Sequence, residues 1–141
     1  MKAKVSLRPF APEDVERVVE LLQHISAYRP DSEKVPELAH IFAEQKESYA
    51  CVAVHGGCVV GFGSLFVLSR IRGGCSAVIE DMAVSTEMRG QGIGRLILED
   101  LLAQARKRGC FKVSLESSEM AEQFYRAAGF DIGGHVMKYR L

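Results

Sequence analysis

A mixed α/β (α+β) fold, a mostly antiparallel central sheet flanked by helices, is predicted by three features of this sequence. Residues 48–69 carry no Asp, Glu, Lys or Arg and are rich in valine, but Gly56-Gly57 interrupts them, as in two strands joined by a tight turn. Separate segments repeat apolar residues at helical spacing. A glycine-rich turn, "RGQGIG" at 89–94, joins an apolar strand to the longest of those helices. A chain of 141 residues suits one domain with one core, spanning residues 1–141.

In chain order, residues 5–8 read as a first strand. Ala11-Pro12-Glu13-Asp14 opens a helix, with Pro in its first turn and acids at its positive end. Val15, Val18, Val19, Leu22 and Ile25 follow on one face. A second helix covers residues 36–47. The hairpin of 49–55 and 58–69 comes next, then a turn at Arg72-Gly73-Gly74, a strand at 76–84 and the glycine turn. A helix at 93–108 closes at Gly109, followed by a strand at 111–115 and a helix at 119–128 capped by Gly129. Residues 135–140 make a final strand after Gly133-Gly134. The order is β-α-α-β-β-β-α-β-α-β, which asks for helices on both faces of one sheet.

Composition narrows the function classes. Basic and acidic residues number 18 each, so overall charge points to neither nucleic acid nor a membrane surface. The uncharged stretch at 48–69 is long enough to span a bilayer, yet its glycines and valines suit a hairpin, and no membrane association is expected. The first ten residues are too short and polar for a signal peptide. Cys51, Cys58, Cys75 and Cys110 lack metal-ligand spacing, and no metal site is expected. A two-residue turn would set His55 opposite Cys58 and Cys51 opposite Phe62, so no disulfide joins those thiols. Reduced cysteines imply a cytoplasmic location.

Basic residues gather at Arg89, Arg95, Arg106, Lys107, Arg108 and Lys112, against the acids Glu99 and Asp100, so an anion is best received there. The glycine turn fits that expectation. N–H groups at a helix start lack internal acceptors and carry about half a positive charge. Glycines let a pyrophosphate approach them. A dinucleotide fingerprint beginning at Gly90 would need glycine at Arg95, and the Gly-Lys-Ser/Thr ending of a P-loop is missing. Taken alone, the turn is equally well a plain strand-to-helix connection.

"IEDMAVSTEMRGQGIGRLILEDLLAQARKRG" resembles the coenzyme motif of the GNAT family of N-acetyltransferases, with Arg89, Gly92 and Gly94 at the positions of Arg/Gln-x-x-Gly-x-Gly/Ala. The element order is also that family's. Within it, Ile79-Glu80-Asp81, Gly109-Cys110-Phe111-Lys112 and the segment Phe124-Tyr125-Arg126-Ala127-Ala128-Gly129-Phe130 are similar to the glucosamine-6-phosphate N-acetyltransferases. The departures are Leu115-Glu116-Ser117 for that subfamily's Leu-Asp-Cys, and Ala121 for its asparagine.

The resemblance implies acetyl-CoA as co-substrate, its pyrophosphate wrapped by main-chain donors of Arg89, Gly90, Gln91, Gly92, Ile93, Gly94 and Arg95. It implies a strand that splays from its neighbour, with N–H groups near Met82, Ala83 and Val84 holding the oxyanion. Tyr125 is expected to touch the coenzyme sulfur and protonate the leaving thiolate; the alternative is an aromatic that pins helix to sheet. Glu80, placed mid-strand with Asp81 on the opposite face, is expected to be retuned by burial and to take the amine proton. Its alternative is a structural ion pair with an arginine. Glu116 matches an acceptor-contacting aspartate, or is a solvated loop acid.

The expected activity is acetyl transfer to a primary amine of a small molecule, such as an amino-sugar phosphate. A protein or peptide acetyltransferase and a non-catalytic coenzyme A sensor are the alternatives. A sugar phosphate needs bases away from the glycine turn, and Arg29, Arg70, Arg72, Lys138 and Arg140 are those left. They do not cluster in sequence, so a homodimer pairing Arg70 or Arg72 with a partner's Lys138 or Arg140 is expected.

Overall fold

The computed structural model describes residues 4–26 and 28–141, so the start of the N-terminal segment read for targeting lies outside the described residues. One five-stranded sheet runs in the order β1 (Ser6–Pro9), β2 (Ser48–His55), β3 (Cys58–Ser69), β4 (Cys75–Val84), β5 (Cys110–Leu115). Pairs β1–β2, β2–β3 and β3–β4 are antiparallel, and β4–β5 is parallel. The parallel step is made by α3 (Ile93–Lys107), which crosses one face of the sheet. Helices α1 (Val15–Leu22) and α2 (Val35–Ala43) belong to the N-terminal half, and α4 (Glu122–Ala127) follows β5.

Two apolar layers result. Ile93, Ile97, Leu98, Leu101 and Ala105 of α3 pack with Cys51, Ala53, Leu65, Ala77 and Ile79 of the sheet. On the other face Val18 and Leu21 of α1 meet Val52, Val59, Phe62 and Ala83. Phe10, Phe42 and Phe62 meet there in edge-to-face and tilted contacts. Gly63 lets α3 lie close to the sheet: a Cβ there would stand 2.5 Å from Ile97 Cγ2.

The hairpin forms as expected, with His55 opposite Cys58. Further along, Cys51 faces Gly63 rather than Phe62, because the register shifts at Ala53/Val54, where β3 carries an extra residue. All four cysteines are free thiols. Among the described residues no helix is long and apolar enough to cross a membrane.

The expected last strand at 135–140 is corrected: residues 130–141 have no regular secondary structure. An isolated extended segment gains nothing until a sheet edge supplies its hydrogen bonds. Here Val136, Met137, Tyr139 and Leu141 are exposed.

The N-terminal junction rests on a buried acid. Asp14 accepts two hydrogen bonds of 2.8 Å from the Arg8 guanidinium and one of 2.9 Å from Ala11 N–H. The Arg8 bonds chiefly hold its carboxyl below the usual range, against the opposing cost of burial. A lowered folded-state value stabilises above the ordinary carboxylate pKa, and that contribution is lost as pH falls through the folded value. Asp14→Asn is therefore expected to cost about 1–2 kcal/mol at neutral pH, since Arg8 is half exposed. The difference from wild type should shrink in acid, as measured by urea denaturation near pH 7 and near pH 3.

Candidate active site

The site is built where β4 stops behaving as a regular strand. Phe62 pairs with Ala83, but the next pair is Ser64 with Glu80, so Gly63 faces both Asp81 and Met82. This is a β-bulge, and Asp81 takes a left-handed conformation at φ 55°, alone in this among non-glycine described residues. The bulge reverses which residues face α3. Ala77 and Ile79 pack on the α3 side before it; after it Met82 and Val84 do, while Ala83 turns to the α1 side.

The bulge also overturns the expected burial of Glu80. Glu80 and Asp81 are both exposed. Nor does an arginine pair with it: among the described residues Glu80 makes no ion pair. Its carboxylate is free in solvent beside the bulge.

On its other side β4 runs past the end of β5. Their pairing ends at Ile79 with Leu115, whereas β4 continues to Val84. The stretch 80–84, which includes Met82, Ala83 and Val84, thus has no strand beside it on that edge among the described residues.

After Val84 a short 3-10 turn (Thr86–Met88) and an extended Arg89 lead into the glycine turn. Gly92 is left-handed at φ 81° and immediately precedes α3. The first helical bond runs from Leu96 N–H to the Gly92 carbonyl at 3.1 Å. The N–H groups of Ile93, Gly94 and Arg95 precede it and have no acceptor within the helix. A Cβ on Gly90 or Gly92 would meet nothing within 4 Å, so the outer face of the turn is open. The Ile93 side chain is buried in the core, which leaves its main chain for any ligand. Gln91 packs its amide toward Met88. Arg95 pairs with Glu99 at 3.0 Å and reaches the Ala127 carbonyl at 3.5 Å, bracing α3 against α4.

Helix α4 brings Tyr125 over the open part of β4. The ring meets Phe124 and Phe130 edge-on, with centroids 5.0 and 5.7 Å away, and its hydroxyl lies 3.9 Å from Met82 Sδ. Burial pushes the phenol above its ordinary value, so it stays a proton donor. Gly94 completes the junction: a Cβ on it would lie 3.4 Å from the Phe124 ring and 3.8 Å from Val84. The turn, the end of β4 and α4 therefore converge.

A groove of about 630 Å³ runs beyond Tyr125 along β5, lined also by Glu116, Ser117, Phe130 and His135. Glu116 is exposed and forms a 2.8 Å ion pair with Lys138 of the C-terminal segment. Neither Met82's side chain nor Phe130 stood out in the sequence as a neighbour of Tyr125. Met82 is 43 residues away, and no local pattern encodes that contact.

The acetyltransferase (GNAT) family model matches residues 15–130. The chain is 34% identical to a glucosamine 6-phosphate N-acetyltransferase of Trypanosoma brucei brucei, covering 97% of this chain and 95% of that one. It is 29% identical to glucosamine 6-phosphate N-acetyltransferase 1 of Dictyostelium discoideum, covering 97% and 91%. The crystal structure of a Trypanosoma brucei acetyltransferase superposes with a TM-score of 0.88 at 30% identity, over 98% of this chain and all of that one. A β4 that runs past β5, an open glycine turn at α3 and a family match over most of the chain lead to one conclusion: the protein belongs to the GNAT acetyltransferase family and is an N-acetyltransferase.

Proposed function

We propose that this enzyme moves the acetyl group of acetyl-CoA to the primary amine of glucosamine 6-phosphate. The observation that carries the reading is the Tyr125 hydroxyl standing beside Met82, where β4 runs on beyond β5. The residues present fit acetyl-CoA. Main-chain N–H groups from Arg89 to Arg95 would receive the pyrophosphate at a turn with no Cβ in the way, and the free edge of β4 would take the pantetheine arm. The co-substrate supplies an activated thioester.

The chain's own groups then divide the work. N–H groups on the free edge of 82–84, those of Met82 and Val84, stabilise negative charge developing on the acetyl oxygen, while Ala83 N–H is turned to β3. Glu80, solvated and unpaired, accepts the amine's proton directly or through water. Tyr125, kept neutral by burial, gives a proton to the departing thiolate. Glu116, next to the same groove, contacts the acceptor, and its bond to Lys138 ties that contact to the C-terminal segment.

The acceptor is supported by the two relatives whose names carry it and by the basic residues outside the turn. Arg70 is engaged with Ser76 Oγ at 3.0 and 2.8 Å, so Arg72 is the freer base on that turn. Exposed apolar side chains at 136–141 and the outer edge of β5 support a homodimer, in which Lys138 and Arg140 of one copy approach Arg72 of the other. A cytoplasmic location accords with four unpaired thiols.

Thiol release from acetyl-CoA should be compared for glucosamine 6-phosphate, glucosamine and a lysine peptide. The phosphate should raise kcat/KM by about 30- to 1000-fold over the plain sugar, the worth of two or three charge-assisted hydrogen bonds. Sedimentation should give a dimer. Equal kcat/KM for the two sugars, or a strictly monomeric protein, would count against this acceptor. Preference for the peptide would move the reading to protein acetylation, and coenzyme binding without turnover would make the protein a sensor.

A further inference from the structure

Four polar side chains are buried among the described residues: Asp14, Ser64, Ser76 and Ser85. Asp14 answers Arg8, and Ser76 receives Arg70. Ser64 differs in where its bond lands. It is 1% exposed, faces Glu80 in the β3–β4 register, and donates its hydroxyl to the Glu80 main-chain carbonyl. That carbonyl immediately precedes Asp81, the left-handed residue of the bulge.

A hydroxyl buried in an otherwise apolar strand costs stability unless it is bonded, so its presence there calls for a job. The bulge supplies one. A bulge-free β4 would place Asp81 alone opposite Gly63 and reverse every side chain after it. Met82 and Val84 would leave the α3 side, Met82 would leave Tyr125, and the N–H groups of 82–84 would exchange edges. Asp81 itself resists the bulge, since left-handed backbone suits glycine far better than a residue with a Cβ.

We infer that Ser64 is a positioning residue for acetyl transfer: its hydroxyl pins the Glu80 carbonyl, fixing the bulge that aims both the Glu80 carboxylate and the N–H groups of Met82 and Val84. This rests on the function proposed above. Ser64 touches no substrate and acts only through β4.

Three variants test it. Ser64→Ala is expected to lower kcat at least 10-fold with a smaller loss of coenzyme A affinity, because the glycine turn is untouched and only the β4 edge offered to the pantetheine arm loosens. Amide hydrogen exchange at Ala83 and Ser85, whose N–H groups face β3, should quicken about 10-fold or more. Adding Asp81→Gly to Ser64→Ala should recover most of both losses, since glycine favours the left-handed position without help from the hydroxyl. Ser64→Thr, which keeps the donor, checks that removal of the hydroxyl is what matters. A folded Ser64→Ala protein with wild-type turnover and exchange overturns the inference, as does a fall in kcat with exchange at Ala83 and Ser85 unmoved. Should the wild-type enzyme acetylate no amine in the panel, the functional reading fails, and the exchange measurement still decides whether Ser64 holds the bulge.

Discussion

Tyr125→Phe is expected to lower kcat by about 10- to 1000-fold, the range of one lost general acid, while coenzyme A binds as before. The substitution keeps the ring between Phe124 and Phe130 and removes only the hydroxyl beside Met82. That hydroxyl's contact with sulfur is long and weak, so the melting temperature should change by no more than a few degrees. The pH dependence follows from the direction of the shift. Burial favours the neutral phenol and raises its value, so the donor stays protonated while the acceptor amine loses its proton with rising pH. Wild-type turnover should therefore climb through neutral pH and decline only above the ordinary tyrosine value of about 10. The phenylalanine variant should lack that decline. By linkage, the fold's preference for a neutral phenol contributes stability below about pH 10 and loses it above, so the variant should also be less sensitive to alkali. Steady-state thiol release from about pH 6 to about pH 11, with calorimetric coenzyme titration, measures both. Turnover near wild type at every pH would make Tyr125 a packing residue.

Gly94→Asp should weaken coenzyme A binding by about 100-fold or more while leaving the protein folded. Gly94 occupies the second position of α3 in ordinary helical backbone, and the added Cβ would sit 3.4 Å from the Phe124 ring, an ordinary contact. A carboxylate at that position complements the positive end of the helix, so the apo protein should be no less stable. The same carboxylate would compete for the N–H donors proposed to bind the pyrophosphate, and would repel it. At a separation near 4 Å and an effective dielectric of about 20 or more, that repulsion amounts to roughly 2–4 kcal/mol. Salt should moderate the loss. Gly92 makes a poorer test, because at φ 81° any side chain strains the turn before a ligand arrives. Thermal shift with and without coenzyme A reads the outcome. An unchanged shift in folded Gly94→Asp protein would remove the pyrophosphate from this turn.

How far the sequence alone reached can be judged residue by residue. Gly56-Gly57 between two valine-rich runs fixed the hairpin, and His55 does face Cys58. Helical spacing after the glycines placed α3 at Ile93, and Gly92 takes the left-handed conformation that only such a residue adopts easily. Tyr125 next to Phe124, before Gly129, marked the helix that became α4. These features are local. Turn conformations, helix starts and apolar periodicity depend on residues within a few positions of one another, so the sequence determines them.

What the tertiary structure decided is everything that depends on pairing between distant segments. Cys51 moved one place along β3, and Glu80 and Asp81 came out of the core, because bulges arise from how two strands reconcile twist, packing and register. Alternation along β4 alone could not reveal a reversal that Gly63 and Ser64 impose from the neighbouring strand. The pattern of residues 135–140 suits a strand, but a strand exists only where another edge supplies its hydrogen bonds, and among the described residues none does.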